Sequence, residues 1–210
     1  MADDPYPLRL RRLVLVRHGE TVGESSIRYH GRNDVALSDL GREQMRRAAA
    51  ALASHSWDAV YTSTRQRARE GAAIIAAHPS ALAVEGFDEI HFGEWEGLTK
   101  EEIAARDPDL YDRWHPADGA FAYPGGESIR EFRARVVAEW QRLAATMPPQ
   151  VLVVAHKGVI ATVIAEVLQL SDVQRADWRI DLGSIHVLVR DDGGWRAELS
   201  SAISHLAGLY

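Results

Sequence analysis

Two short apolar runs, each delivered straight into a histidine, restrict this chain more than any other feature of its sequence. Leu13, Val14, Leu15 and Val16 lead without polar interruption into Arg17, His18, Gly19, Glu20 and Thr21. Val151 to Ala155 lead in the same way into His156, Lys157 and Gly158. A short run of this kind reads as a strand buried on both faces in a parallel sheet, although periodicity alone also allows a buried helical turn. The carboxyl ends of such strands form the rim where open α/β sheets bind ligands. A glycine just beyond lets the backbone turn and a ligand approach closely. Two imidazoles at one rim could face each other across a ligand; two unrelated surface histidines among the nine in the chain are the alternative.

The sequence around these runs reads as one domain over residues 1–210, with strands and helices in alternation. Residues 23–38 are polar and interrupted by glycine, hence a loop able to cover the end of the first strand. Ser38 is a candidate N-cap for a helix to about Ala53. Trp57 to Thr62 reads as a strand, followed by a helix from about Arg65 to Ala77 that His78-Pro79 stops. A short strand is expected near Leu82 to Glu85. Thr99 with Glu102 is a capping box opening a short helix that Asp107-Pro108 ends. Residues 108–126 read as a long irregular insertion, and Tyr111, Trp114, Phe121 and Tyr123 suggest that it is an ordered lid. Ile129, Phe132, Val136, Val137, Trp140 and Leu143 fall at helical spacing between Ser128 and about Thr146. Gly158 to Leu168 reads as a buried helix, and IHVLVR, DDGG and WRAELS as a C-terminal hairpin.

Charge and composition narrow the partners. With 24 Lys and Arg against 30 Asp and Glu, the net charge is −6, which is unsuited to general nucleic-acid binding. An anion must therefore be held by a local pocket. The chain has no cysteine, so thiolate chemistry and disulfides are excluded. The acidic start is wrong for a signal peptide, and no run approaches the ~20 apolar residues of a membrane span. A soluble cytoplasmic protein is expected, with a homo-oligomer open. There is no HExxH, EF-hand or Walker pattern, and neither metal nor cofactor is expected.

LVLVRHGET, Tyr61-Thr62-Ser63 followed by Arg67-Ala68, Glu89 within FDEIHFGEWEG, the GGES of residues 125–128 and VVAHKGVI together resemble the histidine phosphatase superfamily, more closely its phosphoglycerate-mutase-like branch. The likeness runs in order over roughly residues 13–165. It implies an α/β three-layer sandwich, with a mostly parallel central sheet, helices on both faces and the C-terminal hairpin. It also implies a phosphohistidine mechanism on a small phosphorylated metabolite. His18 would be the nucleophile, kept neutral with the help of Arg17 and Arg67. Arg17, Arg67 and His156 would hold the phosphoryl oxygens, and Glu89 would serve as general acid and then base. Asp88, Glu94 and Glu96 are rivals to Glu89.

The chain departs from that pattern at position 24, where the branch usually carries Asn and Glu24 stands here. A carboxylate about 5 Å from a phosphate would cost about 3 kcal/mol per unit charge at an effective dielectric of ~20. Glu24 is therefore expected to turn away and pair with Arg28 or Arg32, with Ser25 or Ser26 supplying the donor, or else to contact a hydroxyl or ammonium of the substrate. Lys157 replaces a frequent Gly and could add a cation near the phosphate; His30 aligns with a pocket-lining position. The short stretch between Glu89 and His156 favours a phosphatase over a mutase. A catalytically weak binding module is the reading from another class, and the substrate stays open.

Overall fold

The computed structural model describes residues 9–76, 81–114 and 119–209. In chain order these form β1 (Arg12–Arg17), α1 (Asp39–Ala51), β2 (Ala59–Ser63), α2 (Gln66–Ala76), β3 (Leu82–Val84), α3 (Lys100–Arg106), α4 (Pro108–Arg113), α5 (Ile129–Ala144), β4 (Gln150–Ala155), α6 (Lys157–Leu168), α7 (Asp172–Ala176), β5 (Ile185–Asp191) and β6 (Gly194–Ala202). The six strands make one sheet in the order β3-β2-β4-β1-β5-β6. Strands β1 to β4 run parallel, β5 is antiparallel to β1, and β5 and β6 form the C-terminal hairpin.

The apolar runs are strands, and their burial explains why they carry no alternation. Successive side chains of a strand point to opposite faces. Leu13, Leu15, Val151 and Val153 enter one core together with Phe132, Val136 and Trp140 of α5 and Val159, Ile160 and Val163 of α6. Val14, Val16, Leu152 and Val154 enter the other core, with Met45 and Ala48 of α1 and Ala72 and Ile75 of α2. Both faces of the central strands are thus covered by helices, which makes the three layers.

Local signals start most of the helices. Ser38 accepts the Gly41 N–H as N-cap of α1, and full capping boxes open α3 at Thr99 and Glu102 and α5 at Ser128 and Glu131. The expected stop of α2 at His78-Pro79 lies outside the described residues; the helix is described to Ala76. Residues 108–126 differ from the single irregular insertion read from sequence. Pro108 occupies the first turn of α4, where its missing N–H and fixed φ favour a helix start. The aromatics of this stretch pack inward: Phe121 and Tyr123 are buried, and Trp95 meets Trp114, Phe121 and Tyr123 at centroid distances of 5.7, 5.6 and 5.5 Å. They build a wall of the α5–α6 core.

The register of the sheet sets the functional geometry. β1 and β4 are parallel neighbours with Arg17 opposite Ala155, and the His18 N–H donates to the Ala155 carbonyl at 3.0 Å. On the other side of β4, Thr62 of β2 lies opposite Val154. Three strands therefore end at one level and deliver His18, His156 and Ser63 side by side.

Candidate active site

His18 sits one residue beyond β1 and is 3% exposed. Its Nδ1 lies 2.8 Å from the Gly19 carbonyl oxygen. A carbonyl only accepts, so Nδ1 carries the proton and Nε2 keeps its lone pair in the neutral ring. Burial, and after it the Arg67 and Arg17 guanidiniums, hold its pKa well below the usual imidazole value. A neutral imidazole with a bare Nε2 is the form in which histidine acts as a nucleophile.

His156, the N-cap of α6, lies with its ring centroid 5.1 Å from that of His18 in an edge-on arrangement. Burial, then Arg67, His18, Arg17 and Arg65, lower its pKa in the same way. Its Nε2 contacts Ser63 Oγ at 2.7 Å, and its buried Nδ1 has no hydrogen-bond partner. Arg67 is fully buried at the start of α2. Its Nη atoms donate to the carbonyls of Asn33, His30 and Gly31 at 2.8, 2.7 and 3.0 Å, while its buried Nε has no partner. Burial pulls the guanidinium down to about 10, against the opposing pull of Glu89, so it remains cationic at neutral pH. Arg17 donates from Nη1 to the Ile180 carbonyl at 2.9 Å.

A cavity of about 660 Å³ opens at this rim, lined among others by Arg17, His18, Ser25, His30, Glu89 and Lys157. The other wall residues include Arg28, Lys100, Glu101, Arg179 and Asp181, so cations outnumber carboxylates around it. Such a balance favours an anion locally in a chain whose net charge is negative. The helix α6, whose N-terminus abuts the same rim, adds partial positive charge. None of the described residues of 108–126 lines the cavity; residues 25–30 and Lys100-Glu101 flank it. Among the described residues, no group of three or more His, Cys, Asp or Glu is placed to hold a metal ion.

Glu89 is separated from its rivals by position. It alone of the four carboxylates lines the cavity. Its Oε2 accepts the Gly158 N–H and its Oε1 the Ile90 N–H, both at 3.0 Å. Asp88 is turned into a cluster of donors instead. It accepts Ser63 Oγ–H at 2.7 Å, the Thr64 N–H at 2.8 Å, and Arg65 through Nε at 3.1 Å and Nη2. Burial pushes its carboxyl upward, but these donors together hold it below its ordinary value. Glu96 binds the N–H groups of Gly31, Arg32, Asn33 and Phe92, and Glu94 pairs with Arg106.

Glu24 does not line the cavity. Its carboxylate pairs with Arg28 Nε at 3.1 Å, and Arg28 also binds Glu102 and the Gly97 carbonyl. Ser25 and Ser26 are the neighbours that reach the cavity wall. His30 lines it too, with Nε2 donating to the Gly23 carbonyl. The Lys157 ammonium is held below its usual value by burial and then by Arg17, which places it near the cationic rim. Ser63, Asp88 and Gly158 have positions here that their motifs alone did not disclose. The consecutive donors Ser63, Thr64 and Arg65 are a local hint that a carboxylate must come to meet them.

The family model described as histidine phosphatase superfamily, branch 1, matches residues 13–202. A bifunctional protein of Mycobacterium tuberculosis is 36% identical over 177 residues, covering 82% of this chain and 45% of its own length; the chain thus spans about half of that relative. A glucosyl-3-phosphoglycerate phosphatase of Mycolicibacterium vanbaalenii is 33% identical over 176 residues, 78% of this chain and 76% of the relative. Among solved structures, a putative alpha-ribazole-5'-P phosphatase of Escherichia coli superposes with a TM-score of 0.80 at 25% identity, covering 92% of this chain and 97% of the other.

Proposed function

The chain belongs to the histidine phosphatase superfamily, and from that premise we propose that it hydrolyses phosphomonoesters of small metabolites through a phosphohistidine on His18. The observation that carries this reading is the state of His18 itself. Its Nδ1–H is committed to the Gly19 carbonyl, and its ring is kept neutral beside two arginines. Nε2 is therefore the atom that attacks phosphorus in line. The bond to the ester oxygen breaks, and Glu89 gives that oxygen a proton as it leaves. The Glu89 carboxylate then takes a proton from water as the water attacks phosphohistidine, which returns His18 and releases phosphate.

Charge on the transferring group is met by two fixed guanidiniums and by the neighbouring imidazole of His156, preorganised electrostatics being the main contribution a protein makes to phosphoryl transfer. Arg17, Arg67 and His156 surround the nucleophile, with Lys157 at the cavity wall. The phosphatase names of relatives that cover most of this chain support hydrolysis over mutase transfer. A burst of acid-labile phosphoenzyme with an aryl phosphate, absent in His18→Ala, tests the reading. Turnover of the ester by His18→Ala at the wild-type rate overturns it, and turnover that requires a bisphosphate primer assigns a mutase instead.

A further inference from the structure

We propose that Asp88, acting through Ser63, is a positioning residue that locks the proton of His156 onto Nε2, so that the only ring nitrogen His156 can offer a phosphoryl group is an acceptor and the two must share one added proton. The chain of contacts is unbroken and buried. Asp88 is a carboxylate, and the Ser63 hydroxyl gives it its single proton at 2.7 Å. Ser63 Oγ is then an acceptor, taking the Arg65 N–H at 3.0 Å and facing His156 Nε2 at 2.7 Å. Nε2 must therefore carry the proton. That leaves Nδ1, buried and without a partner, as a lone pair in the neutral ring.

A buried polar atom with no partner is uncommon in folded proteins and calls for an explanation. Here the explanation is a ligand that brings or recruits a proton. The charged or titratable groups that act on His156 most strongly are cationic or neutral: Arg17 at the end of β1 and His18 just beyond it, Arg67 from α2, and Arg65 just before that helix. Asp88 lies behind Ser63 and is already saturated with donors. These neighbouring cations disfavour an imidazolium. A phosphate dianion placed against Nδ1 sets two acceptors together, unless a proton is taken from solvent or carried in on the monoanion. With that proton, Nδ1–H donates to the phosphoryl oxygen, and a cation stands where charge develops during transfer. Ser63 and Asp88 thereby make the ligand, rather than the protein alone, switch His156 on.

The proton-sharing half rests on the phosphatase reading, whereas the tautomer half does not, and the two are separable by experiment. Nitrogen-15 NMR of ring-labelled histidine in the unliganded protein at pH 8, with His156 assigned by its loss in His156→Gln, reads the tautomer directly. The wild type is expected to show His156 protonated on Nε2. In Asp88→Ala, Ser63 is free to donate to Nε2, and the proton is expected to move to Nδ1; Asp88→Asn, whose amide oxygen still accepts from Ser63, is expected to restore Nε2–H. Ser63→Ala, a smaller change, is expected to populate both tautomers. Calorimetry of inorganic phosphate binding, in buffers of different ionisation enthalpy, then counts protons. Wild type is expected to take up about one more proton per site than Ser63→Ala. An Nδ1–H tautomer in wild type, or one unmoved in both Asp88→Ala and Ser63→Ala, overturns the relay. Equal proton uptake, or no phosphate binding by wild type, overturns the sharing step.

Discussion

A β-carbon built on Gly158 would stand 2.5 Å from Glu89 Oε1 and 2.9 Å from Cζ of Phe132, so Glu89 and the first turn of α6 can meet only across a glycine. The Gly158 N–H that holds Glu89 comes from the same residue. Gly158→Ala must push Glu89 off its position while leaving His18 in place. General acid catalysis is worth about 10²–10⁴-fold, and it matters most where the leaving alkoxide is poor. Glu89→Gln is therefore expected to lower kcat for an alkyl phosphate by that factor and for a nitrophenyl phosphate far less. Gly158→Ala is expected to show the same dependence on leaving group at smaller size. Equal losses for both esters in the two variants would mean that Glu89 does not protonate the leaving oxygen. Glu24 makes the opposite case. It sits at φ +59°, where Asn is more at ease than Glu, and its exposed pair with Arg28 is of the kind that contributes little. Glu24→Asn is expected to leave the melting temperature unchanged and kcat/KM within about twofold. A large loss of activity would place Glu24 on the substrate.

At the scale of elements, the strand pattern hid one polar residue. His186 lies in β5 opposite Leu15 and is fully buried, accepting the Ser201 N–H on Nδ1 at 3.1 Å, with Nε2 at 3.1 Å from Ser184 Oγ. Burial lowers its pKa from 6.5 to about 4. Between those two values the unfolded chain binds the proton and the folded one does not, so stability falls as pH drops from about 6.5 and levels off below about 4. The shift corresponds to about 3 kcal/mol at the acid end. His18 and His156, also lowered, act in the same direction. Urea midpoints measured from pH 8 to pH 4 should decline for the wild type and decline less steeply for His186→Gln; parallel curves would assign the loss elsewhere. Elements announced by local chemistry were readable from sequence: Ser38 and Thr99 cap the helices they precede, and the apolar spacing from Ser128 onward marked α5. α4 was missed because Pro108 both ends one helix and starts the next, and only tertiary packing decides which. The buried His186 was missed because its partners come from residues 184 and 201, across a hairpin with a register shift.

Across the whole molecule, His18, His156, Glu89, Arg17 and Arg67 could be singled out from motifs, but what joins them depends on contacts between distant segments. The Arg17–Ala155 register and the Ser63–Asp88 bond link residues with no local signal for each other. Arg67 is the clearest instance. Read from sequence as a phosphate ligand, it also clamps the loop at 30–33 through three carbonyls, and His30 of that loop lines the cavity. Hydrogen bonds from a charged donor are worth about 1.5–3 kcal/mol each, and a lysine cannot reproduce the planar fork that makes them. Arg67→Lys keeps the charge yet surrenders the clamp. It is expected to lower kcat/KM by at least 100-fold, to reduce the melting temperature by several degrees, and to speed hydrogen exchange at the amides of residues 31–33. Those amides are otherwise held by Glu96, so their release tracks the loop. A variant that lost activity while exchange at 31–33 stayed at the wild-type rate would confine Arg67 to the phosphate. A variant in which both changed would show that one buried guanidinium builds the cavity wall and charges it.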